Sequence, residues 1–326
     1  MPGPTSSAKL VTVFGGSGFI GRYVVQALVK RGHRIRVAVK RPDLAGHVQP
    51  LGMVGQIKPI QANLRYRWSV DRAVEGADAI VNLVGILAEG GRQTFDAVQA
   101  FGPRAVGEAA RAVGISNVVH LSAIGADQPS TIGYLRSKAE GESGILEAVP
   151  DAVIMQPSII FGPEDHFFNR FAAMARMSPV LPLIGGGNTR FQPVYAGDVG
   201  EAIARAVDGN ARSGAIYELV GPEVLTFRQC MERMLEVTRR RRLLVPVPWF
   251  AARVLGRIGQ HLPGAPITLD QVRMLRFDNV VSPDAERDKR TLAGLGIDPT
   301  ALEIVLPTYL TRFRERGQFT QARAAP

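Results

Sequence analysis

Residues 10–21, reading LVTVFGGSGFIG, constrain this chain more than any other stretch. The apolar, β-branched run Leu10, Val11, Val13, Phe14 predicts a strand. Glycines three apart follow at Gly15, Gly18 and Gly21, and then apolar residues at helical spacing: Phe19, Ile20, Val24, Val25, Leu28 and Val29. A strand, a tight turn and a helix in that order form a cradle for a diphosphate. Gly15 permits the turn, Gly18 leaves room for the pyrophosphate against the backbone, and Gly21 lets the helix seat close to the sheet. The helix start adds unpaired N–H groups and a partial positive charge. The competing reading is a glycine turn kept only for packing.

A second strand over 34–39 completes a βαβ unit, and the residues at its end decide which dinucleotide fits. An acidic residue there would hold a ribose 2′-hydroxyl, whereas this chain has Lys40 and Arg41, which favour the 2′-phosphate of NADP(H). A solvated basic pair is the plainer alternative. Arg22 stands ready to add a contact, Asn63 and Leu64 to flank the adenine. The spacing predicts strands over 57–60, 79–84, 117–121 and 152–155, a helix starting over 70–74 and another over 92–113. Val84 and Gly85 bring small residues and backbone to the nicotinamide half, and Pro157 follows a later strand. The alternation predicts an α/β fold: a doubly wound, mostly parallel sheet with a smaller C-terminal lobe. The boundaries are 9–165 for the NADP(H)-binding core and 166–317 for the lobe, whose later parts return to the core, with flexible ends at 1–8 and 318–326.

Tyr134 and Lys138 lie four apart in YLRSK, on one face of a predicted helix, shortly after a strand ending in Ser122. An ammonium near a phenol stabilises the phenolate, so the pair suits either cofactor contact or proton transfer to a carbonyl. His120, within that strand, reads as a satisfied sheet histidine. Further on, 167–177 reads as a helix, 181–187 as a turn-rich crossing, 192–198 as the opening of a helix with Asp198 near its start, 217–220 as a strand, and 226–237 and 268–276 as helices.

The balance of charge is +10 over 326 residues, which favours anionic partners without choosing among them. Its cations are too dispersed for a nucleic-acid groove, the five histidines are scattered, and the one cysteine, Cys230, makes no cluster, so neither nucleic acid nor metal is expected. The first nine residues hold no apolar signal core and no run is long enough to span a bilayer, so a cytosolic or membrane-peripheral location is expected. Arg239–Arg242 form a run of four arginines, and Phe250, Val254, Ile258 and Leu262 recur every four residues with Arg253 and Arg257 off their stripe. That basic amphipathic helix has three readings: packed on its own domain, docked on a protein assembly, or laid on an anionic membrane surface.

GGSGFIG at 15–21, Tyr134-x-x-x-Lys138, Ser122 and VYAGDV at 194–199 together resemble the extended or atypical short-chain dehydrogenase/reductases over about residues 9–310. Within them the chain is similar to the 39 kDa accessory subunits of respiratory complex I and their bacterial relatives, most specifically through LDQVRMLRFDNVVS at 269–282. The resemblance implies a Rossmann fold and a tightly held NADPH (or NADP+). It also implies a peripheral place among complex I subunits, on the cytoplasmic side of a bacterial inner membrane or the matrix side of a mitochondrial one. It implies a role in assembly or stability, with Tyr134, Lys138 and Ser122 as a catalytic set that is vestigial or engaged with cofactor. Two departures from the enzyme pattern stand out. Ile124 occupies the place of a catalytic Ser or Thr, and Gln156 replaces an arginine that precedes the proline in many relatives. The alternative expectation is a free NADPH-dependent reductase or sugar-type epimerase, with Tyr134 as acid/base and Lys138 lowering its pKa.

Overall fold

A computed structural model describes residues 8–126, 129–259 and 269–315. The expectations for 1–7, for 318–326 and for Leu262 lie outside these residues. The chain divides into two compact units. One takes the chain up to Pro157 with Ala196–Leu219 and Val281–Asp298; the other takes Ser158–Tyr195, Val220–Val280 and the chain from Pro299.

The first unit is built on strands β1 (Leu10–Phe14), β2 (Arg34–Val39), β3 (Ile57–Gln61), β4 (Ala79–Asn82), β5 (Val118–Leu121) and β6 (Val153–Pro157), with Ile216–Leu219 as a seventh. From one edge to the other the sheet runs Ile216–Leu219, β6, β5, β4, β1, β2, β3, and every pair is parallel. Such a sheet is covered on both faces, so its central strands read as unbroken apolar runs. All four residues of β4 and of β5 are buried. Helices α1 (Phe19–Lys30), α2 (Arg67–Val74), α3 (Phe101–Ala112) and α4 (Gly133–Ala148) fill the crossovers. One core joins Phe14, Val70, Ile80, Val106, Ile145 and Ile154.

Local rules shift several boundaries. The helix expected to start over 70–74 begins at Arg67 and ends at Val74. The strand expected over 79–84 stops at Asn82, whose Oδ1 accepts the Val84 amide at 3.2 Å and turns the chain out of the ladder. The helix expected over 92–113 is a wide turn at Asp96–Ala100 followed by α3, with Pro103, which has no N–H to donate, in α3's first turn.

The second unit packs an aromatic cluster in which Phe167 meets Phe168, Phe171, Phe191 and Phe227. Cys230 lies within the same core, and burial pushes its thiol up to about 12, which leaves it inert. The expected crossing at 181–187 is instead a strand, Val180–Ile184, because Leu243–Val247 pairs alongside it in parallel and Leu181 and Leu183 are buried. In the first unit, Asp198 sits inside the first turn of helix Ala196–Val207. Helix Phe227–Thr238 begins with a reciprocal cap between Thr226 and Gln229.

The basic amphipathic reading changes most. In helix Trp249–Gly259, among the residues whose burial is described, Ala252 and Gly256 are buried, while Phe250 and Val254 of the expected stripe are 66% and 56% exposed; the expectation for Ile258 lies outside the described side chains. Small residues four apart make a second stripe, and that one lets Leu269 approach closely: a Cβ on Gly256 would lie 3.1 Å from its Cα. The arginine run also splits. Arg240 donates to the Phe313 carbonyl at 2.7 Å and Arg242 to that of Ala175 at 2.7 Å, while Arg239 and Arg241 are exposed. No described helix is long and apolar enough to cross a membrane.

Ile145 is fully buried between α4 and the sheet. Ile145→Ala is expected to lower the unfolding free energy by about 2–5 kcal/mol, read from urea denaturation followed by circular dichroism. A loss below about 0.5 kcal/mol would contradict this core.

Candidate functional site

In an all-parallel sheet with this strand order, β1 and β4 are neighbours whose crossovers leave in opposite directions, and the crevice beyond their carboxyl ends is where ligands sit. Four segments meet along that edge: the glycine turn after β1, Leu83–Gly85 after β4, Ser122 after β5, and the first turns of α4. The Leu83 amide donates to the Phe14 carbonyl at 3.0 Å, and a Cβ on Gly15 would lie 3.2 Å from Val84 Cγ2.

The turn has the shape that its spacing predicts. Gly15 holds φ +79°, a conformation costly for side chains, and a Cβ on Gly21 would lie 2.4 Å from the Gly15 carbonyl oxygen. Gly18 caps α1 without a side chain, and no acidic residue stands in the first turn that carries Phe19 and Ile20. The helix start therefore keeps its positive end open to an anion. Arg22 follows, half-buried, its amide closing the first turn onto the Gly18 carbonyl at 3.1 Å.

Lys40 and Arg41 stand exposed just past β2. Lys40 donates to Gln93 Oε1 at 2.8 Å. Arg41 forks onto Asp43, at 2.7 Å from one oxygen and 3.1 Å from the other, and that contact holds the Asp43 carboxyl below its ordinary value. Asn63 is locked by the Ser69 hydroxyl, which donates to its carbonyl at 2.9 Å, and Leu64 is buried against Gly102.

Tyr134 and Lys138 do share one face of α4, and neighbours fix both. The Tyr134 ring meets Phe95 edge-on at 5.9 Å. Gln99 accepts the Ile86 amide at 2.8 Å and donates to Ser137 Oγ at 3.0 Å, tying the turn after β4 to α4. Lys138 is buried and donates from Nζ to the Leu121 carbonyl at 3.1 Å; a Cβ on Gly85 would lie 3.3 Å from that nitrogen. Desolvation pulls the Lys138 ammonium down to about 8, against the opposing pull of Glu142. Part of the Tyr134 ring stays in solvent, yet desolvation of its hydroxyl pushes the phenol up to about 12. Ser122 is buried beside Glu142, with its Oγ lacking a partner in hydrogen-bonding geometry.

His120 departs from the satisfied-histidine expectation. Asn82 donates from Nδ2 to its Nδ1 at 3.2 Å, so the ring proton sits on Nε2, and that atom is buried without a partner. Burial beside Lys138 lowers this imidazole to about 3, so it is neutral. Pro157 ends β6, and its carbonyl accepts the Ile124 amide at 3.1 Å. Phe95, Gln99 and the buried Glu142 went unassigned in the sequence. Glu142 alone had a readable signal, standing four residues beyond Lys138 on the same helix.

The sequence matches the family described as NAD dependent epimerase/dehydratase over residues 11–219. The chain belongs to that family. It is also 32% identical to the Arabidopsis thaliana protein named NADH dehydrogenase [ubiquinone] 1 alpha subcomplex subunit 9, mitochondrial, over 95% of this chain and 79% of that one. That degree of likeness places it among the subunit 9 proteins. A Caulobacter vibrioides ceramide reductase is 33% identical over 55% of each chain. A Thermus thermophilus UDP-glucose 4-epimerase, solved in complex with NAD, shares the fold at a TM-score of 0.67 and 21% identity, covering 94% of this chain and 99% of its own.

The geometry suits an NAD(P) dinucleotide, with the open start of α1 fit for a diphosphate. Among the described residues no group of three His, Cys, Asp or Glu side chains could hold a metal ion. Gly21→Val is expected to push the turn away from α1 and weaken dinucleotide binding by at least about tenfold (~1.4 kcal/mol), read by titrating NAD(P)H fluorescence. Unchanged affinity would remove the turn from the site.

Proposed function

We propose that this chain is a nucleotide-holding accessory subunit of respiratory complex I that keeps NADPH as a structural ligand with no substrate turnover. The observation that supports this reading is an open α1 start behind a tight glycine turn, beside a catalytic set without a side-chain oxyanion donor at Ile124. Gly15, Gly18, Gly21 and Lys138 would hold the dinucleotide. Ile124 has no side-chain donor for a developing oxyanion, and its amide is engaged by Pro157. Tyr134, pushed up to about 12, is a poor match for proton transfer near neutral pH. The subunit 9 relatives support the partner, since their names place them in the ubiquinone-linked NADH dehydrogenase.

A ligand that binds only the folded state stabilises it by mass action, by about 4 kcal/mol at a thousandfold excess over its Kd. The bound dinucleotide brings hydride chemistry with it; here that chemistry goes unused. Lys40 and Arg41 read the 2′-phosphate, with Arg41 exchanging Asp43 for it. The chain sits on the cytoplasmic face of a bacterial inner membrane, or the matrix side where it is organellar. It docks there on other complex I subunits through exposed residues of 239–254, among them Arg239, Arg241, Leu243, Val245, Phe250 and Val254, which also suit anionic lipid headgroups. The second reading, a free NADPH-dependent reductase with Tyr134 as acid and Lys138 as its partner, draws on the ceramide reductase likeness.

Purification of the native protein from membranes in mild detergent is expected to bring down respiratory-chain subunits and to release NADPH on denaturation. A lone protein with exchanging nucleotide, whose substrate-dependent NADPH oxidation collapses in Tyr134→Phe, would establish the reductase instead. Neutralising Lys40 and Arg41 together is expected to weaken NADPH by roughly ten- to a hundredfold and to leave NADH nearly unchanged. Equal losses for both cofactors would show that the pair does not read the phosphate.

A further inference from the structure

The glycine turn is held by one side chain from outside the residues assigned to it so far. Past β2 the chain makes two short, tight helices, Pro42–Leu44 and Gly46–Leu51, anchored by the buried Ala45 and Val48. Between those anchors His47 is exposed, and both of its ring nitrogens are engaged. Nδ1 is 3.1 Å from the Leu44 carbonyl oxygen, and Nε2 is 3.1 Å from that of Ser17, within the turn. The other end of the Ser17–Gly18 peptide is held too, since the Gly18 amide donates to the Gly15 carbonyl at 3.1 Å. A carbonyl oxygen only accepts, and a neutral imidazole has a single N–H. The neutral ring therefore satisfies one of these carbonyls and turns a lone pair on the other. Only the imidazolium donates to both.

We infer that His47 is a positioning residue of the dinucleotide site: as an imidazolium it ties the loop after β2 to the Ser17–Gly18 peptide and adds a positive charge to the turn. The inference rests on the reading of this turn as the diphosphate cradle. The loop that His47 fastens begins with Lys40 and Arg41, so one side chain joins the segment read as choosing the 2′-phosphate to the turn read as holding the diphosphate. Glycines leave such a turn free to change shape. A bond to its one serine carbonyl orients the peptide plane without filling the space in front of it.

The surrounding charge couples this bond to the nucleotide. Helix α1, strand β3 and Pro42–Leu44 pack against Gly46–Leu51. They carry Arg22 and Lys30, Lys58, and Asp43 respectively. Asp43 is the one acid among them, and Arg41 already engages it. The start of α1 adds its own positive end. Without nucleotide these groups oppose a further positive charge, and the phosphates of a dinucleotide supply the missing negative one. Coupling between two ligands, here the proton and the nucleotide, is reciprocal. Nucleotide therefore raises the pH at which His47 sheds its proton, and affinity is greater below that midpoint than above it.

The test uses the full-length protein with its five histidines and its glycines isotope-labelled, His47 being assigned from the signal missing in His47→Gln. NADP+ is the probe because it survives acid, and both its affinity and the His47 resonance are followed from about pH 5.5 to about pH 8.5. NADP+ is expected to raise the His47 midpoint by about one unit, and the ratio of wild-type to His47→Gln affinity is expected to fall about tenfold from the acid end to the alkaline end. Taking the ratio removes the titration of the ligand's own 2′-phosphate. His47→Arg, a cation with several donors at every pH, should show no such fall. A merely structural His47 would leave the ratio flat in pH and the midpoint unmoved by NADP+, which overturns the inference. Wild-type protein that binds no NADP+ at any pH overturns the cofactor reading instead. The tie is then read from the Gly18 amide resonance without nucleotide, which should titrate with His47 in wild type and stand still in His47→Gln; a Gly18 amide indifferent to pH in wild type overturns the tie as well.

Discussion

Parallel strands all end on the same edge, and this constraint organises the first unit. Each strand from β1 to β6 delivers its carboxyl end to one side of the sheet, so the loops that leave neighbouring strands emerge side by side. Residues as distant in sequence as Gly15, Gly85, Ser122 and Lys138 become one site with no contact designed between them individually. The sheet pays for the arrangement by being buried on both faces, which is why Ala79–Asn82 and Val118–Leu121 contain no exposed residue. A polar residue on such a strand needs a cross-strand partner. Asn82 and His120, opposite each other in the β4–β5 register, supply one another's.

That burial also shapes the electrostatics. Holding a dinucleotide calls for donors that stay charged and fixed; proton transfer to a substrate calls for groups poised near the working pH. Lys138 is fixed by the Leu121 carbonyl, to which its Nζ donates at 3.1 Å. Tyr134 fails the second, because desolvation holds its proton on. Ile124 removes an oxyanion donor in the same neighbourhood. The two departures act in one direction, away from proton transfer and oxyanion stabilisation.

How far these features were legible in the sequence depended on their range. β1, the turn and α1 were readable because strand period, glycine spacing and helix period are local, and Gly21 meets Gly15 only six residues away. Tyr134 and Lys138 were readable as a helical pair, yet the side chains that hold them were not. Phe95 and Gln99 come from a different element, and a wide turn at Asp96–Ala100 aims them. The strand at Val180–Ile184 was hidden for the same reason, since its partner, Leu243–Val247, lies some sixty residues on. His120 was half legible: its burial followed from the strand pattern, its unpartnered Nε2 did not.

The helix at Trp249–Gly259 shows why period alone misleads. Two stripes four residues apart compete on it, one large and apolar, the other small. Burying Phe250 and Val254 would gain more area, but Gly256 admits the Leu269 backbone, and Trp249 lies so close to Gly185 that a Cβ there would meet its ring at 2.1 Å. Close backbone approach wins, and Phe250 and Val254 face outward. Arg239 and Arg241 face outward as well, while Arg240 and Arg242 are tied into their own unit. Exposed apolar side chains lose the burial that would stabilise them, about 1.5–3 kcal/mol for each large one. A sequence that leaves Leu243, Val245, Phe250 and Val254 uncovered gives up that stability in the isolated chain.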